Sequence, residues 1–215
     1  MIGFVITIKG NKESVKVAER CIESGKRFGE DIRMFDAITP ERHPIEICQA
    51  EGIPTAGFEE KYSRNLNCIS AFLSHYSLWK KSAQLGKEIA IFEHDAVLID
   101  KIPTANYLHV MNIGKPSYGK FITPATLGVN KLTTKPYFPG AHAYLVRPEG
   151  AMQLIYAAKK FARPTDVFLN KTTFPWLEEY YPFAAEARDT FTTIQNTNGC
   201  QAKHNFNEDY RIIDA

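Results

Sequence analysis

The chain has 215 residues, of which 44% are hydrophobic and 23% are charged, and its formal net charge is +2. This length is enough to bury a core without disulfides or a structural metal, and the composition excludes disordered, collagen-like and membrane-spanning classes. The N-terminus has no basic region or cleavage site, no apolar run reaches about 18 residues, and the four cysteines are scattered, which predicts a cytoplasmic protein with reduced thiols and no integral membrane segment.

The N-terminal part of the chain predicts a β-α-β unit. Residues 2–8 (IGFVITI) are an apolar run rich in β-branched side chains, which is typical of a strand buried on both faces. Asn11 is placed to cap a helix that continues to about Phe28, and Gly29 ends it. Residues 32–38 (IRMFDAI) form the next strand. This order predicts a parallel sheet with a right-handed crossover.

The next stretch predicts a loop, a long helix and a central strand. Residues 39–65 mix Pro, Gly and charged residues without a period, which indicates a loop with a short helical turn. Apolar side chains recur at helical spacing over residues 66–85. Residues 88–92 (EIAIF) then predict a central strand that finishes in Glu93-His94-Asp95 and continues as an apolar run.

The following part of the chain has fewer regular patterns. Residues 101–137 are rich in Gly, Pro, Thr and Lys and predict one strand near 119–123. A strand over residues 143–146 (AYLV) is followed by a helix from Pro148 to Phe161, with the proline in its first turn.

These elements predict one domain and a tail. Strands and helices alternate over residues 1–195, which predicts a single α/β domain with a mostly parallel sheet flanked by helices. Residues 196–215 are rich in Asn and Gln and form the predicted C-terminal tail.

The acidic triplet at the end of the central strand predicts a ligand site. In an open α/β sheet, ligands bind beyond the carboxyl ends of the strands. Side chains at positions i and i+2 of a strand point the same way, so Glu93 and Asp95 are expected to face one site. Such a pair can hold a hard divalent cation that bridges diphosphate oxygens. The alternative is a polar strand end that faces solvent.

Positive charge is concentrated in one segment. Between Lys101 and Pro148 the sequence has no Asp or Glu, and six Lys and Arg residues give the segment a charge of +6. A segment of one sign raises the local concentration of an anionic ligand, such as a nucleotide diphosphate or a phosphodiester backbone. The alternative is a solvated loop in which lysines prevent aggregation.

Several motifs follow one another in order between residues 4 and 169. They are Val5-Ile6-Thr7-Ile8, Glu19-Arg20, Phe35-Asp36-Ala37-Ile38, Asn67-Cys68, Phe72-Leu73-Ser74-His75, Ile91-Phe92-Glu93-His94-Asp95, Gly140-Ala141-His142-Ala143-Tyr144 and Pro164-Thr165-Asp166. This order resembles the lipopolysaccharide and procollagen galactosyltransferases, glycosyltransferase family 25. His94 departs from the family pattern, which has an acid at that position, while the outer carboxylates Glu93 and Asp95 are kept.

The resemblance implies a GT-A type fold and transfer of a hexose from a nucleotide sugar, typically UDP-linked, to a hydroxyl acceptor with inversion. It implies Mn²⁺ or Mg²⁺ as the cofactor and a saccharide acceptor of the lipopolysaccharide type. The metal is expected to neutralise charge that develops on the diphosphate leaving group. The implied positions that bind the donor and cofactor are Thr7, Arg20, Asn67, Ser74, His75, Glu93, His94, Gly140 and His142.

An inverting transferase needs a general base for the acceptor hydroxyl, usually a carboxylate. Asp166 is the candidate, because it is isolated in a basic, aromatic stretch, and its alternative role is a helix N-cap. Asp95 is the second predicted catalytic residue and, with Glu93, a metal ligand. His142 is expected to complete the metal shell or to contact the diphosphate, since a neutral imidazole suits Mn²⁺. For His142 and His75 the alternative is a buried, hydrogen-bonded structural histidine.

Two other functions fit the same sequence. One is a nucleotide-sugar or glycan binding protein that kept the fold and lost catalysis, which His94 in the acidic triplet suggests. The other is a transferase acting on a hydroxylated base in DNA, of the virus-encoded type, because the basic segment lies beside the predicted site. A DNA acceptor would make binding strongly salt-dependent. The donor sugar, the acceptor and the oligomeric state are left open by the sequence.

Overall fold

The structure is a computed structural model that describes residues 1–59, 63–188, 191–195 and 211–214. The helices are α1 (Lys12–Lys26), α2 (Pro44–Glu51), α3 (Asn65–Leu85), α4 (Pro148–Ala158) and α5 (Thr165–Phe168). The strands are β1 (Ile2–Thr7), β2 (Asp31–Asp36), β3 (Ile89–Glu93), β4 (Ala96–Leu98), β5 (Val110–Asn112), β6 (Gly128–Lys131), β7 (Ala143–Val146), β8 (Glu178–Tyr181), β9 (Ala185–Ala187), β10 (Phe191–Thr192) and β11 (Arg211–Ile212).

The predicted β-α-β unit is confirmed. The side chain of Asn11 accepts hydrogen bonds from the backbone N–H groups of Glu13 and Ser14, which is the capping role expected of it. Gly29 follows α1 with a φ of 77°, a left-handed conformation that glycine adopts without strain. Strands β1 and β2 then pair in parallel over their whole length.

The central sheet contains seven strands in the order β2-β1-β3-β7-β5-β8-β6. Five of them, β2, β1, β3, β5 and β8, run in one direction, and β7 and β6 run in the other. The predicted α/β class with a mostly parallel sheet is therefore confirmed. The short strands β4 and β9 pair outside this sheet, as do β10 and β11.

Both faces of the sheet are buried, because alternate strand residues belong to two different hydrophobic clusters. Phe4 and Ile91 pack on the side of α3 and α4, while Val5 and Phe92 pack on the side of α1. Trp79 of α3 is fully buried. Such two-sided burial explains why these strands read as continuous apolar runs in the sequence.

Three local predictions are corrected by the structure. Residues 119–123 do not form a strand, because Gly119 has a φ of 66° and the Ile122 side chain is 68% exposed, so no apolar face is buried there. Strands form instead at β5 and β6, which are only three and four residues long. The predicted loop over residues 39–65 contains α2, which begins at Pro44 and ends before Gly52.

The chain returns to the N-terminal half after β9. Residues 191–195 lie beside the start of α3, where the Arg64 N–H donates to the carbonyl of Ile194 (2.7 Å). Thr192 pairs with Ile212 in a parallel two-residue ladder, and the carbonyl of Asp214 accepts a hydrogen bond from the Asn11 side chain (2.7 Å). Most of the predicted tail, residues 196–210, lies outside the described residues, and the domain boundary at 195 stays a prediction.

The structure addresses part of the predictions about the cysteines and about membrane segments. Cys21, Cys48 and Cys68 are buried, and Cys200 lies outside the described residues. Within the described ranges, no helix is both long enough and apolar enough to cross a membrane. The cytoplasmic location stays a prediction.

Candidate active site

A cleft lies at the carboxyl ends of β1, β2 and β3, and we name it the sheet-edge cleft. Its wall is formed by strand ends, the first half of α3 and the returning C-terminal segment, through Ile6, Ile8, Ala37, Ile38, Pro40, Asn67, Ser70, Ala71, Ser74, His75, Glu93, His94, Thr193 and Ile194. Half of these side chains are apolar, and the polar ones come from α3, the end of β3 and the returning C-terminal segment. An apolar slot with a few convergent polar groups is the usual construction of a small-molecule site.

A chain of hydrogen bonds orients Glu93. The indole N–H of Trp79 donates to the hydroxyl of Tyr144 (2.8 Å), and that hydroxyl is hydrogen-bonded to His75 Nδ1 (2.9 Å). The other ring nitrogen, His75 Nε2, is hydrogen-bonded to Glu93 Oε1 (3.1 Å). Burial lowers the pKa of His75 to about 3, so the imidazole is neutral and its contact with Glu93 is a hydrogen bond and not an ion pair.

Both interpretations of His75 from the sequence are thus partly met. Its ring is 1% exposed and hydrogen-bonded at both nitrogens, as in a structural histidine. It also forms part of the wall of the sheet-edge cleft, beside Glu93.

Two other carboxyl groups act electrostatically on Glu93, which lies in the wall of this cleft. The pKa of Glu93 is raised well above its ordinary value, first by burial and then by the negative charges of Asp95 and Asp166. Burial also raises the pKa of Asp166, although hydrogen bonds to its carboxylate oppose the shift. Asp166 is distant in sequence from the other two, so the fold itself brings the predicted base to the predicted metal site.

The geometry of the acidic triplet differs from the predicted one. β3 ends at Glu93, and His94 and Asp95 form a turn before β4, so the alternation of strand side chains does not apply. Glu93 faces His75 and the cleft. Asp95 is 5% exposed, and its Oδ1 has no hydrogen-bond partner among the described residues.

His142 lies near Asp95 on the end of the segment that precedes β7. Burial lowers its pKa, and the charge of Asp95 acts in the opposite direction. Both of its ring nitrogens lack a hydrogen-bond partner among the described residues. The ring packs on the backbone of Gly114, where a Cβ would come within 2.5 Å of His142 Nε2, so glycine is required at that position.

These residues fit a divalent cation only as a partial shell. In the part of the chain that the structure describes, no three His, Cys, Asp or Glu side chains are arranged as a ready-made metal cage, so Glu93, Asp95 and His142 do not form the three-ligand set expected from the sequence. The turn at His94 and Asp95 separates the carboxylates, which is the physical reason. The orphaned oxygen of Asp95 is nevertheless free to bind a cation whose other ligands are diphosphate oxygens and water, whereas His142 Nε2 is packed against the backbone of Gly114.

The side chain of His94 is held in one orientation by a hydrogen bond with Ser14 of α1. The hydroxyl of Ser14 accepts the backbone N–H of Ile8 (2.9 Å), so its hydrogen is directed at His94 Nδ1 (2.7 Å). The ring proton then lies on Nε2. Burial is the main cause that lowers the pKa of His94, so the residue is a neutral hydrogen-bond donor in the place of the family's acid.

Asp166 is placed in the first turn of α5 and is not its N-cap, which is Pro164. The hydroxyl of Tyr118 donates to Asp166 Oδ2 (2.8 Å), and the Val167 N–H donates to Oδ1 (2.8 Å). A half-buried carboxylate with a raised pKa and two fixed donors suits a general base near neutral pH.

The other predicted site residues divide between the cleft wall and its supports. Asn67 lies in the wall and donates to the Thr193 carbonyl (2.8 Å). Ser74 also lies in the wall, and its hydroxyl accepts the Ile38 N–H (2.9 Å), which fixes the chain after β2.

Thr7, Arg20 and Gly140 are not among the described residues of the cleft wall. Thr7 is fully buried and donates to the carbonyl of Val5 (3.0 Å) in its own strand. Arg20 donates to the carbonyl of Asp95 (3.3 Å), and Gly140 has a φ of 82° in the turn before His142. All three support the site from outside the cleft.

Sequence reasoning missed several residues of the site. Ser14 and Tyr118 are single polar residues without a pattern, and only the fold brings them to His94 and Asp166. Thr193 and Ile194 come from near the end of the domain, where no periodicity points to the cleft. Tyr144 lies within one of the motifs, and its hydroxyl in an otherwise apolar strand is a signal that a buried hydrogen-bond partner is needed.

Comparisons with known proteins agree with this geometry. The sequence matches the profile of glycosyltransferase family 25 (LPS biosynthesis protein) over residues 2–169. No curated protein matches the chain.

Solved structures with a similar fold include a mutant of the Drosophila β1,4-galactosyltransferase 7 in complex with manganese, UDP-Gal and xylobiose (11% identity, TM-score 0.38, covering 71% of this chain and 51% of that one). Mouse xyloside xylosyltransferase 1 in its apo form has 10% identity and a TM-score of 0.41, with 82% of each chain covered. The CTP:phosphocholine cytidylyltransferase of Streptococcus pneumoniae has 9% identity and a TM-score of 0.40, with 87% of this chain and 93% of that one covered. The present chain spans about half the length of the galactosyltransferase structure.

Proposed function

The chain belongs to glycosyltransferase family 25, and from this membership and its site geometry we propose that it transfers a hexose from a UDP-linked donor to a hydroxyl of a saccharide acceptor, with inversion and with a divalent metal. One observation carries the proposal. Asp95 and Asp166, which are far apart in the chain, both lie close enough to Glu93 of the sheet-edge cleft for their negative charges to raise its pKa.

The sheet-edge cleft suits the nucleoside part of the donor. Ile8, Ile38 and Ala71 offer apolar contacts to a flat base, and the backbone around them is fixed by the bonds of Ser14 and Ser74. His94 presents a neutral ring whose remaining N–H is a donor, which suits a ribose or phosphate oxygen. The nucleobase of the donor is therefore expected to lie between the ends of β1 and β2, and the diphosphate of the donor is expected to lie towards Asp95.

A divalent cation would be held by Asp95, with Glu93 and His142 beside it, and when bound it supplies positive charge to the diphosphate leaving group. The protein's own residues prepare this position. The hydrogen-bond chain from Trp79 through Tyr144 and His75 ends at one carboxyl oxygen of Glu93 and so restricts the rotation of this side chain. Arg20 holds the backbone of Asp95 from the opposite side.

Asp166 acts as the general base in this proposal. The Tyr118 hydroxyl and the Val167 N–H fix its carboxylate, so the oxygen that receives the proton keeps its direction. Because burial raises the pKa of Asp166, its conjugate acid is closer in strength to the acceptor hydroxyl than an exposed carboxylic acid would be. A base on the far side of the sugar from the leaving group produces inversion.

A thermal-shift panel tests the donor and metal parts. UDP-glucose, UDP-galactose and UDP-N-acetylglucosamine are added with and without Mn²⁺ to the wild type, to Asp95→Asn and to Asp100→Asn, an exposed acid a few residues away that serves as the matched control. A ligand at 100 times its Kd stabilises a fold by about 2.7 kcal/mol, which for this size corresponds to a Tm rise of roughly 5 to 10 °C. We expect that rise with Mn²⁺ in the wild type and in Asp100→Asn, and not in Asp95→Asn.

Two results would count against the proposal. If no UDP-sugar raises the Tm under any condition, donor binding is absent and the transferase function is wrong. If a UDP-sugar binds but no UDP is released in the presence of any saccharide acceptor, the chain is the catalytically inactive binding protein that His94 suggested.

A further inference from the structure

A second cavity of about 530 Å³ lies among residues 120–122, 133–137 and 171, and we name it the lysine cavity. Its wall includes Lys120, Phe121, Thr134, Lys135, Tyr137 and Lys171. It shares no described wall residue with the sheet-edge cleft. Its volume is within the range of small-molecule sites, and it is open to solvent.

The charge of this cavity has one sign. Three lysines contribute to its wall and no Asp or Glu does. Within the described ranges, none of the three is in an ion pair. Lys135 uses one of its three donors on the carbonyl of Tyr118 (2.7 Å), which leaves two for a ligand. Burial lowers the pKa of Lys135, so an anion beside it would offset the desolvation of its ammonium group.

The wall also has groups suited to a sugar. Thr134 is 3% exposed, and its Oγ1 has no hydrogen-bond partner among the described residues. Buried hydroxyls are normally hydrogen-bonded, so an unpartnered one in a cavity wall points to a ligand or water that completes it. The rings of Phe121 and Tyr137 add apolar surface on which the face of a sugar ring can pack.

The lysine cavity is connected to the proposed base. Lys135 lies over the ring of Tyr118, with 4.8 Å from Nζ to the ring centroid, and the hydroxyl of the same tyrosine donates to Asp166. Tyr137 pairs with Asn170 in the segment that follows α5. The negative charge of Asp166 also raises the pKa of Glu93, a residue of the sheet-edge cleft wall. Asp166 is therefore linked to the lysine cavity through Tyr118 and to the sheet-edge cleft through its charge.

We infer that the lysine cavity binds an anionic group, phosphate or carboxylate, carried by the saccharide acceptor. This inference rests on the proposed function, because it assigns the sheet-edge cleft to the donor and leaves this cavity for the acceptor. The anionic group holds the acceptor while its hydroxyl meets Asp166. A duplex or single-stranded DNA acceptor is less well supported, since the positive charge is concave and local and the whole chain has a net charge of only +2.

Binding of simple sugars tests the inference without transfer. Galactose 6-phosphate, galacturonic acid and galactose are titrated into the full chain by calorimetry, with wild type, Lys120→Gln, Lys171→Gln and Lys131→Gln. Lys120 and Lys171 are exposed, so their replacement leaves the core intact, and Lys131 is an exposed lysine of the same segment outside the cavity. A charge-assisted hydrogen bond changes affinity about ten-fold or more.

We expect galactose 6-phosphate to bind at least about ten-fold more tightly than galactose, and Lys120→Gln and Lys171→Gln to remove most of that difference, while Lys131→Gln keeps it. Tight binding of galacturonic acid as well assigns carboxylate to the cavity, and binding of the phosphate alone assigns phosphate. Equal affinity for the three sugars, or an equal loss in Lys131→Gln, overturns the inference.

Two further arms separate this inference from its rivals. The first is the binding of a 20-nucleotide DNA single strand. If the DNA binds more tightly than galactose 6-phosphate, and if Lys120→Gln and Lys171→Gln weaken its binding, the inferred saccharide acceptor is wrong and DNA replaces it. The UDP-sugar Tm shift is measured in the same samples. If that shift persists while the sugars do not discriminate, only the inference fails, and if the shift is absent, the proposed function fails first.

Discussion

In the sheet-edge cleft His75, Glu93 and His94 are fixed by hydrogen bonds, whereas the lysine cavity is open and two of its three lysines are exposed. His94 and Glu93 each have a partner that sets their orientation, Ser14 for the first and His75 for the second. Groups fixed before binding lose little entropy when a ligand arrives, and long exposed lysines lose more. The difference teaches that the cleft is built for one ligand of defined shape and the cavity for charge.

Asp166 is the point at which the two regions meet. Removal of its charge is the largest change that we predict. Asp166→Asn keeps the shape of the side chain and its bond with the Val167 N–H, but it cannot accept a proton. General-base catalysis is worth about 10²–10⁴ in rate, so kcat is expected to fall by that factor. The UDP-sugar Tm shift is expected to remain, which a steady-state assay and a melting curve check together.

Tyr118→Phe provides the control for that prediction. The hydrogen bond from Tyr118 lowers the pKa of Asp166, so its loss raises that pKa. The reactive form is the ionised carboxylate, and the acid limb of the profile of kcat/KM against pH is therefore expected to move to higher pH. An unchanged profile, together with full activity in Asp166→Asn, would assign the base to another residue.

The sequence was informative about the cleft and much less so about the cavity. Buried strands and capped helices leave periodic patterns, so β1, α1, β2, α3 and β3 were placed correctly along with the acidic triplet. The turn at His94 and Asp95 was missed because two polar residues between apolar runs read equally well as a continuous strand. Contacts such as Ser14 with His94 join residues far apart in the chain and leave no local signal.

The region around the lysine cavity shows why prediction failed there. Residues 119–123 contain Phe121 and Ile122, which favour a strand in isolation, yet Ile122 is exposed and nothing is buried by forming one. β5 and β6 are short and gain their stability from neighbouring strands, so their own sequences carry little periodicity. The positive charge was visible, but its concave arrangement depends on the bridge between Tyr137 and Asn170.

The fixed histidine of the cleft predicts a pH dependence of stability. The pKa of His75 is about 3 in the fold and about 6.5 when the chain is unfolded, so the unfolded chain binds more protons between these values. Stability from this group is complete above pH 6.5 and is lost as the pH falls. From pH 7 to pH 5 this group is expected to lower the free energy of unfolding by about 2 kcal/mol. Urea denaturation at both pH values measures this decrease in the wild type, and the decrease is expected to be absent in His75→Gln.

The comparison between variants is needed because other groups act in the opposite sense. Glu93 and Asp166 have raised pKa values in the fold, so their contribution to the stability of the fold decreases as the pH rises through that range. Tyr144→Phe is the matched control, since it breaks the same hydrogen-bond chain and keeps His75. It is expected to lower stability by about 1–3 kcal/mol at both pH values and to retain the difference between them. A wild-type difference that survives His75→Gln would show that His75 is not the group responsible.

The smallest predicted effect comes from the loss of the side-chain hydrogen bonds of one asparagine in each of the two regions. Asn67→Ala removes the bond to the Thr193 carbonyl, which holds a wall of the sheet-edge cleft, and Asn130→Ala removes bonds to the carbonyls of Thr126 and Gly128 at the end of β6. Each change is expected to lower stability by about 1 kcal/mol, or the Tm by roughly 2–4 °C. Only Asn67→Ala loosens the donor wall, so only it is expected to weaken UDP-sugar binding, by a few-fold in Kd. Equal weakening in both variants would mean that the cleft responds to general stability, and the contrast between a fixed donor region and a tolerant acceptor region would be wrong.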